Sequence, residues 1–212
     1  TANGRLSLAL HAPGTPCGAP SPTPCSLPFS DVQPTDYFHE AVGYLYCRGV
    51  ISGYADGTFR PYSNTTRGQL CKIVVLAHGW SIYLPPAPTF RDVPATDPFY
   101  GYIETAYNSG IISGYFCGLN CLEFRPGNNI TRGQLCKIMV LAQGWPSYYP
   151  PTPTFVDVAL GDPFYTYIEA AYHQAIISGY SCGEGCLEFR PGNSATRGQI
   201  CKIAYLAVSS RR

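Results

Sequence analysis

The sequence predicts a mainly α-helical fold, built from three tandem helix–loop–helix units that pack into one compact body. The phrase Thr-Arg-Gly-Gln, followed by an apolar residue and Cys-Lys-Ile, begins at Thr66, Thr131 and Thr196, a constant interval of 65 residues. The phrases Phe-x-Asp-Val, Ile-Ser-Gly-Tyr and Phe-Arg-Pro precede each copy in the same order. Each unit holds too little apolar surface for a core of its own, so we expect the units to bury their faces against one another.

The first 28 residues form a Pro-rich tail with six prolines and no periodicity, which we expect to be extended or pinned by a cysteine. The units then run over 29–84, 85–149 and 150–212. Pro-rich linkers at 85–88 and 150–153 join one unit to the next.

The first helix of each unit is predicted from an aspartate followed by apolar residues at helical spacing. Asp97 is expected to cap a helix whose first position is Pro98, where a missing N–H costs nothing, and Gly110 ends that helix. The third unit repeats the pattern from Asp162, and the first unit uses Asp36.

The second helix of each unit opens with a capping box. The threonine hydroxyl can accept from the N–H three residues on, where a glutamine can reach back; the pairs are Thr66 with Gln69, Thr131 with Gln134, and Thr196 with Gln199. An apolar stripe at i, i+3, i+4 and i+7 follows. A cysteine lies beside that stripe in each helix and is expected to be a buried thiol: Cys71, Cys136 and Cys201.

Ten cysteines in 212 residues indicate an oxidising location. Local disulfides are predicted in two equivalent loops, Cys117 with Cys121 and Cys182 with Cys186, and no histidine lies near them to favour zinc. Two pairings remain open for the other cysteines. Cys25 can pair with Cys47 and leave Cys17 over, or Cys17 can pair with Cys25 and Cys47 with Cys71.

Composition limits the classes of partner. The formal net charge is +1, only 13% of residues are charged, and no apolar run approaches the about 18 residues that span a bilayer. We therefore expect neither nucleic-acid binding nor membrane insertion. The sequence starts at Thr1 without a methionine or a convincing signal peptide, which suggests a processed, secreted form.

These phrases resemble the S-layer homology family, and the resemblance extends from about Phe29 to Val208. The family pattern has Phe-x-Asp-Val, a helix, Gly-x-Ile-x-Gly-Tyr-x-Asp-Gly-Thr-Phe-Arg-Pro, and Thr-Arg-x-Glu opening a second helix. The resemblance implies a pseudo-three-fold body that holds a bacterial surface protein to secondary cell-wall polysaccharide, in grooves between the copies. It also implies location at the cell surface or cell wall.

The resemblance places glycan binding at the arginine that opens helix two, which corresponds to Arg67, Arg132 and Arg197. A guanidinium offers a planar fork to a carboxylate, and the adjacent helix N-terminus is expected to supply free N–H groups. The alternative is that these arginines pack over the loop and donate to its carbonyls. This sequence has Gly-Gln where the family commonly has Ala-Glu, and only the first unit keeps the Asp56-Gly57-Thr58 loop.

Other candidate contacts are weighed against structural roles. The capping residues Thr66, Thr131, Thr196, Gln69, Gln134 and Gln199 lie beside the arginines but are primarily caps. Trp80 and Trp145 follow helix two and can stack on a sugar or close a core. The aspartate of each Phe-x-Asp-Val phrase is expected to cap a turn.

No catalytic motif, metal site or cofactor site is predicted. The four histidines occupy unrelated places in the pattern. Glu104 and Glu169 recur at one position of helix one, where we expect a solvated helix face.

The leading hypothesis is therefore a non-enzymatic anchor that binds cell-wall polysaccharide. One alternative is a self-assembling subunit of a surface lattice or filament, which would bind copies of itself. Another is an accessory subunit that docks on a larger surface protein through the Pro-rich tail.

Overall fold

The computed structural model describes residues 25–210, which form six helices and two short hairpins. Helix one of the three units is α1 (His39–Cys47), α3 (Tyr100–Asn108) and α5 (Tyr165–His173), and helix two is α2 (Arg67–His78), α4 (Arg132–Gln143) and α6 (Arg197–Ser209). The hairpins are β1 (Tyr115–Gly118) with β2 (Cys121–Glu123), and β3 (Tyr180–Gly183) with β4 (Cys186–Glu188). The predicted tail up to residue 24, including Cys17, lies outside the described residues.

The aspartates that were predicted to cap helix one instead close the turn before it. Asp97 Oδ1 accepts from the Phe99 N–H at 2.7 Å, and α3 begins only after Phe99. Asp162 acts in the same way before α5. In the first unit the Asp36 carboxylate instead accepts from the Gln33 N–H. The prediction of these helix starts is wrong by about two residues, because the aspartate first organises a tight turn.

Helix two begins as predicted in all three units. The Thr66 hydroxyl accepts from the Gln69 N–H at 3.3 Å, and Gln69 Oε1 accepts from the Thr66 N–H at 3.0 Å. Both bonds recur at the starts of α4 and α6. The capping boxes are therefore confirmed.

The three units meet at a closed ring of backbone hydrogen bonds. The Thr65 N–H donates to the Ala195 carbonyl at 3.1 Å, Ala195 donates to Ile130 at 2.9 Å, and Ile130 donates back to Thr65 at 2.9 Å. All three residues are fully buried. The ring marks the pseudo-three-fold axis of the body.

Helix packing joins successive units rather than the two helices of one unit. Helix α2 packs on α3, α4 on α5, and α6 returns to α1. Each contact depends on the glycine that follows the arginine of the repeated Thr-Arg-Gly-Gln phrase, since a Cβ on Gly133 would lie 2.7 Å from Cδ2 of Phe164. Gly68 faces Phe99 and Gly198 faces Phe38 in the same way. The glycine thus admits an aromatic ring of the next unit.

The second and third units carry a buried carboxylate where a solvated face was predicted. Glu104 is fully buried, and its two oxygens accept from the Thr89 N–H at 2.8 Å and the Thr89 hydroxyl at 2.7 Å. Glu169 makes the same two bonds to Thr154. The prediction is wrong because the linker folds back over helix one and covers this position.

The first unit secures the corresponding segment by a different device. Gly43 replaces the glutamate in helix one, and Pro28 replaces the threonine. A disulfide between Cys25 and Cys47 joins the incoming segment to the end of α1. In this unit a covalent bond therefore ties the incoming segment to helix one, whereas the other units use a buried hydrogen-bonded pair.

The remaining cysteine predictions are confirmed among the described residues. Cys117 pairs with Cys121 and Cys182 with Cys186, and each disulfide closes a β-hairpin in a loop for which no strand was predicted. The three helix-two cysteines are buried free thiols. The alternative pairings of Cys25 and of Cys47 are excluded by the bond between them.

Candidate functional site

Three grooves lie where helix two of one unit meets the loop of the next unit. Each is named here by its arginine. The Arg67 groove is lined by the loop 111–115 and by Gln134 and Lys137; the Arg132 groove by the loop 175–180 and by Gln199 and Lys202; the Arg197 groove by the loop 49–54 and by Gln69 and Lys72. Their volumes are about 160, 660 and 280 Å³ in that order.

Each arginine first serves as a structural link between two units. Arg67 Nε donates to the Phe124 carbonyl at 2.8 Å, and its guanidinium lies 4.4 Å from the centre of the Phe124 ring and 5.0 Å from that of Tyr115. Arg132 repeats this with Phe189, and Arg197 with Phe59. The predicted packing over the loop, with donation to its carbonyls, is confirmed.

The three arginines differ in whether their terminal amino groups have a hydrogen-bond acceptor. Those of Arg67 and Arg132 have no hydrogen-bond acceptor within residues 25–210, whereas Arg197 Nη2 donates to the Ser52 carbonyl at 3.0 Å. Burial lowers the pKa of Arg67, but arginine has the highest pKa of the side chains and keeps its proton. A charged guanidinium with free donors can receive a carboxylate in a bidentate contact.

The expected free N–H groups at the start of helix two are absent from the described grooves. In α4 the Arg132 N–H donates to the Asn193 carbonyl at 2.9 Å, and the Gly133 N–H donates to the Pro191 carbonyl at 2.9 Å. The next N–H is taken by the Thr131 cap. The prediction is wrong because the following unit docks its loop carbonyls onto the helix end and occupies these donors.

The arginine's acceptor carbonyl is held by the aspartate of the Phe-x-Asp-Val phrase. Asp92 Oδ1 accepts from the Phe124 N–H at 2.8 Å, and Oδ2 accepts from the Arg125 N–H at 2.6 Å. Arg125 has a left-handed φ of 61°, which these bonds stabilise. Asp31 and Asp157 make the same pair of bonds, so the predicted turn-capping role is confirmed.

Sequence reasoning overlooked the tyrosine of Ile-Ser-Gly-Tyr and the lysine of Cys-Lys-Ile as groove residues. Tyr115 lies between the guanidiniums of Arg67 and Arg125, and Gln134 Nε2 donates to its hydroxyl at 3.2 Å. The glutamine therefore caps the helix and orients the tyrosine. The tyrosine of Ile-Ser-Gly-Tyr and the lysine of Cys-Lys-Ile recur in every unit, and this recurrence was the signal in the sequence that could have identified them as groove residues.

The charged side chains that line the three grooves are all positive. Each groove is lined by one arginine and one lysine, and no aspartate or glutamate is among the lining residues that the structure describes. Within residues 25–210 no group of three His, Cys, Asp or Glu side chains could hold a metal ion. None of the six described helices is long and apolar enough to cross a membrane.

Comparison with known proteins identifies the repeat. The family model described as "S-layer homology domain" matches residues 28–71, 89–136 and 154–201, well over half of the chain. The chain belongs to the S-layer homology family. The three matched segments are tandem repeats of this domain, and membership places the chain at the bacterial cell surface, in association with the cell wall.

Relatives of this S-layer homology chain include surface proteins and enzymes. It is 31% identical over 140 residues to an endoglucanase of Bacillus sp. (strain KSM-635) and 29% identical over 167 residues to the surface-layer 125 kDa protein of Lysinibacillus sphaericus. The alignments cover 65% and 76% of this chain but only 14% and 13% of those relatives. The shared segment is thus a small part of each relative, and the family points to a non-catalytic anchoring domain.

Three other candidate residues lie away from the S-layer homology grooves. Trp80 and Trp145 are partly buried against the core and do not line a groove. Asp56 lies in an exposed turn, where hydrogen bonds from Thr58 and then Arg60 lower its pKa to about 2. The structure therefore brings together the arginines and capping glutamines of the prediction, but not these three side chains.

Proposed function

We propose that the chain anchors its protein non-covalently to the cell envelope by binding an acidic cell-wall polysaccharide in the inter-unit grooves. The observation that carries the proposal is the pair of guanidiniums, Arg67 and Arg132, whose terminal amino groups have no acceptor within the described residues. Both side chains are largely buried, with exposed fractions of 7% and 6%. A carboxylate bound there meets charge-assisted donors in a partly desolvated site.

The polysaccharide's repetitive structure suits three related grooves. A single charge-assisted carboxylate contact contributes about 1.5–3 kcal/mol, which by itself gives only weak binding. Sites on one rigid body raise the effective concentration for the second contact, and avidity can exceed the affinity of one groove by orders of magnitude. Retention on a wall therefore does not require a tight individual site.

A catalytic role is not part of the proposal. The recurring carboxylates Glu104 and Glu169, the residues that a glycosidase mechanism would need, are buried and bonded to Thr89 and Thr154. They hold the linkers in place and do not line any of the three grooves.

The test is sedimentation of the purified chain with bacterial cell-wall sacculi, before and after chemical removal of their polysaccharide. Variants replace the three groove arginines with lysine, which keeps the charge but removes the fork, and with alanine. Arg91→Ala is the matched control, because this exposed arginine lies outside the grooves. We expect pelleting to require the polysaccharide and to be lost in folded groove variants but not in the control. Pelleting that ignores both changes contradicts the proposal.

Self-association is a second candidate function, favoured by one observation. The tip of the β1–β2 hairpin exposes Phe116 and Leu119, with 90% and 97% of their surface accessible. The third unit has Ser181 and Glu184 at the equivalent positions. Sedimentation velocity over a range of concentrations tests it, with Phe116→Ser/Leu119→Glu as the variant; a concentration-independent monomer rules it out.

A further inference from the structure

The three grooves share one plan but differ in the wall that the following unit supplies. In the Arg132 groove that wall consists of Tyr37 and Tyr62 of the first unit. At the equivalent positions the second unit has Pro98 and Gly127, and the third unit has Pro163 and Gly192. Only one groove among the described residues therefore has an aromatic wall at these two positions, and it is also the largest, at about 660 Å³.

The two tyrosines are exposed but held in place. Their accessible fractions are 55% for Tyr37 and 70% for Tyr62. Both rings pack edge-on against the buried ring of Phe38, with centroid separations of 4.9 and 5.8 Å. Rigid aromatic faces that remain open to solvent provide a stacking surface at little conformational cost.

The arginine and lysine of the Arg132 groove, Arg132 and Lys202, make the fewest contacts with other described side chains among the three grooves. Lys72 lies 5.7 Å over the ring of Tyr102, and Lys137 lies 5.6 Å over the ring of Tyr167. At the position that would face Lys202 the first unit has Ala41 instead of a tyrosine. Lys202 has no ion pair, hydrogen bond or ring contact within residues 25–210.

The arginines point to the same groove. Arg197 already donates a terminal amino group to the Ser52 carbonyl, and the Arg67 groove is small, at about 160 Å³. The Arg132 groove combines free guanidinium donors, a free ammonium and volume. A ligand with a carboxylate next to an uncharged ring matches these features.

We propose that the Arg132 groove is the dominant glycan site, and that it takes an acidic oligosaccharide of at least two sugars. The carboxylate-bearing sugar binds between Arg132 and Lys202, and the adjoining pyranose stacks on Tyr37 and Tyr62. This inference rests on the proposed function, because it assigns one of the three grooves as its main site and adds a neutral subsite to it.

The experiment is titration calorimetry with polysaccharide released from bacterial cell-wall sacculi, and with the same polysaccharide after reduction of its carboxyl groups. The variant Tyr37→Pro/Tyr62→Gly gives this groove the walls that the other grooves already have. We expect it to weaken binding about tenfold, as one aromatic contact of ordinary strength would. We expect Lys202→Ala to weaken binding several-fold, and the carboxyl-reduced probe to bind weakly to every form.

Arg91→Ala is the matched control, because it removes one exposed positive charge outside the three grooves, and we expect a change below about twofold. Lys72→Ala and Lys137→Ala compare the other two grooves, and we expect each to weaken binding less than Lys202→Ala does. The folding of each variant is first checked by thermal unfolding followed by circular dichroism. Should the double variant fail to fold, Tyr62→Gly alone decides, since this ring is mostly exposed.

The outcomes separate the two proposals. The dominance of this groove is overturned, and the anchor left intact, if the tyrosine and Lys202 changes leave binding unaffected. The same holds if Lys72→Ala or Lys137→Ala weakens binding as much as Lys202→Ala does. Failure of the parent chain to bind the unmodified polysaccharide overturns both.

Discussion

Replacing Gly133 with alanine is expected to destabilise the fold, although alanine is the better helix former. A Cβ at this position would lie 2.7 Å from Cδ2 and 3.0 Å from Cγ of Phe164, closer than side-chain carbons pack. Because Phe164 belongs to the next unit, either its ring or the docked helix must shift. Overpacking of this kind costs about 1–3 kcal/mol, while the gain in helix propensity is at most about 1 kcal/mol.

With about 2 kcal/mol for overpacking and about 1 kcal/mol for the propensity gain, the net loss is about 1 kcal/mol, which corresponds to a melting temperature lowered by about 2–4 °C for a chain of this size. Thermal and urea unfolding followed by circular dichroism measure it. Gly127→Ala is the matched control, since no atom lies within 4 Å of its added Cβ and its φ lies outside the left-handed region. It is expected to be neutral or slightly stabilising. A Gly133→Ala chain that melts at or above the temperature of the parent chain refutes the reasoning.

Four further outcomes are expected. Cys25→Ser/Cys47→Ser should lower the free energy of unfolding by about 3 kcal/mol through loss of loop closure, and an unchanged urea midpoint contradicts this. Glu169→Gln should cost about 1–3 kcal/mol, because one of two buried acceptors is lost; a melting curve like that of the parent refutes it. Thr65→Val should be neutral or stabilising, since the buried hydroxyl has no partner within the described residues, and a lower melting temperature would show a hidden bond. Burial raises the pKa of the Cys136 thiol to about 12 from 9.0. Because the folded state favours the neutral thiol, the contribution of this group to the free energy of unfolding is full below about pH 9 and is lost as the pH rises towards 12. The native thiol should therefore resist iodoacetamide at pH 8, and rapid alkylation would contradict this burial.

The local features of the repeat were predictable because they depend on residues that are close together in the sequence. The capping box of Thr66 and Gln69 needs only residues three positions apart, and the disulfide of Cys117 and Cys121 needs only a tight loop. Helix spacing likewise predicted most of the buried stripe of α2 and α4, namely Leu70, Ile73 and Val74 in α2 and Leu135, Ile138, Met139 and Ala142 in α4. Each of these depends on contacts within a few residues.

The tertiary structure alone decided what happens between units. The N–H groups at the start of α4 were expected to be free, but in the structure they donate to the carbonyls of Asn193 and Pro191. Glu169 was expected to be solvated, but in the structure it is covered by the linker and bonded to Thr154. These partners come from segments that periodicity cannot position. The same holds for the wall of the Arg132 groove, where Tyr37 lies far from Arg132 in sequence and meets it because the third unit closes onto the first.

The sequence by itself thus determined the repeat, its helices, the caps of helix two and its family, since these follow from local propensity and from duplication. Only the closed three-fold packing decided which donors remain unpaired and which groove is open. Three nearly identical units become unequal there, because each groove takes its arginine, its loop and its wall from three different copies, and the copies differ at single residues such as Tyr62 and Gly127.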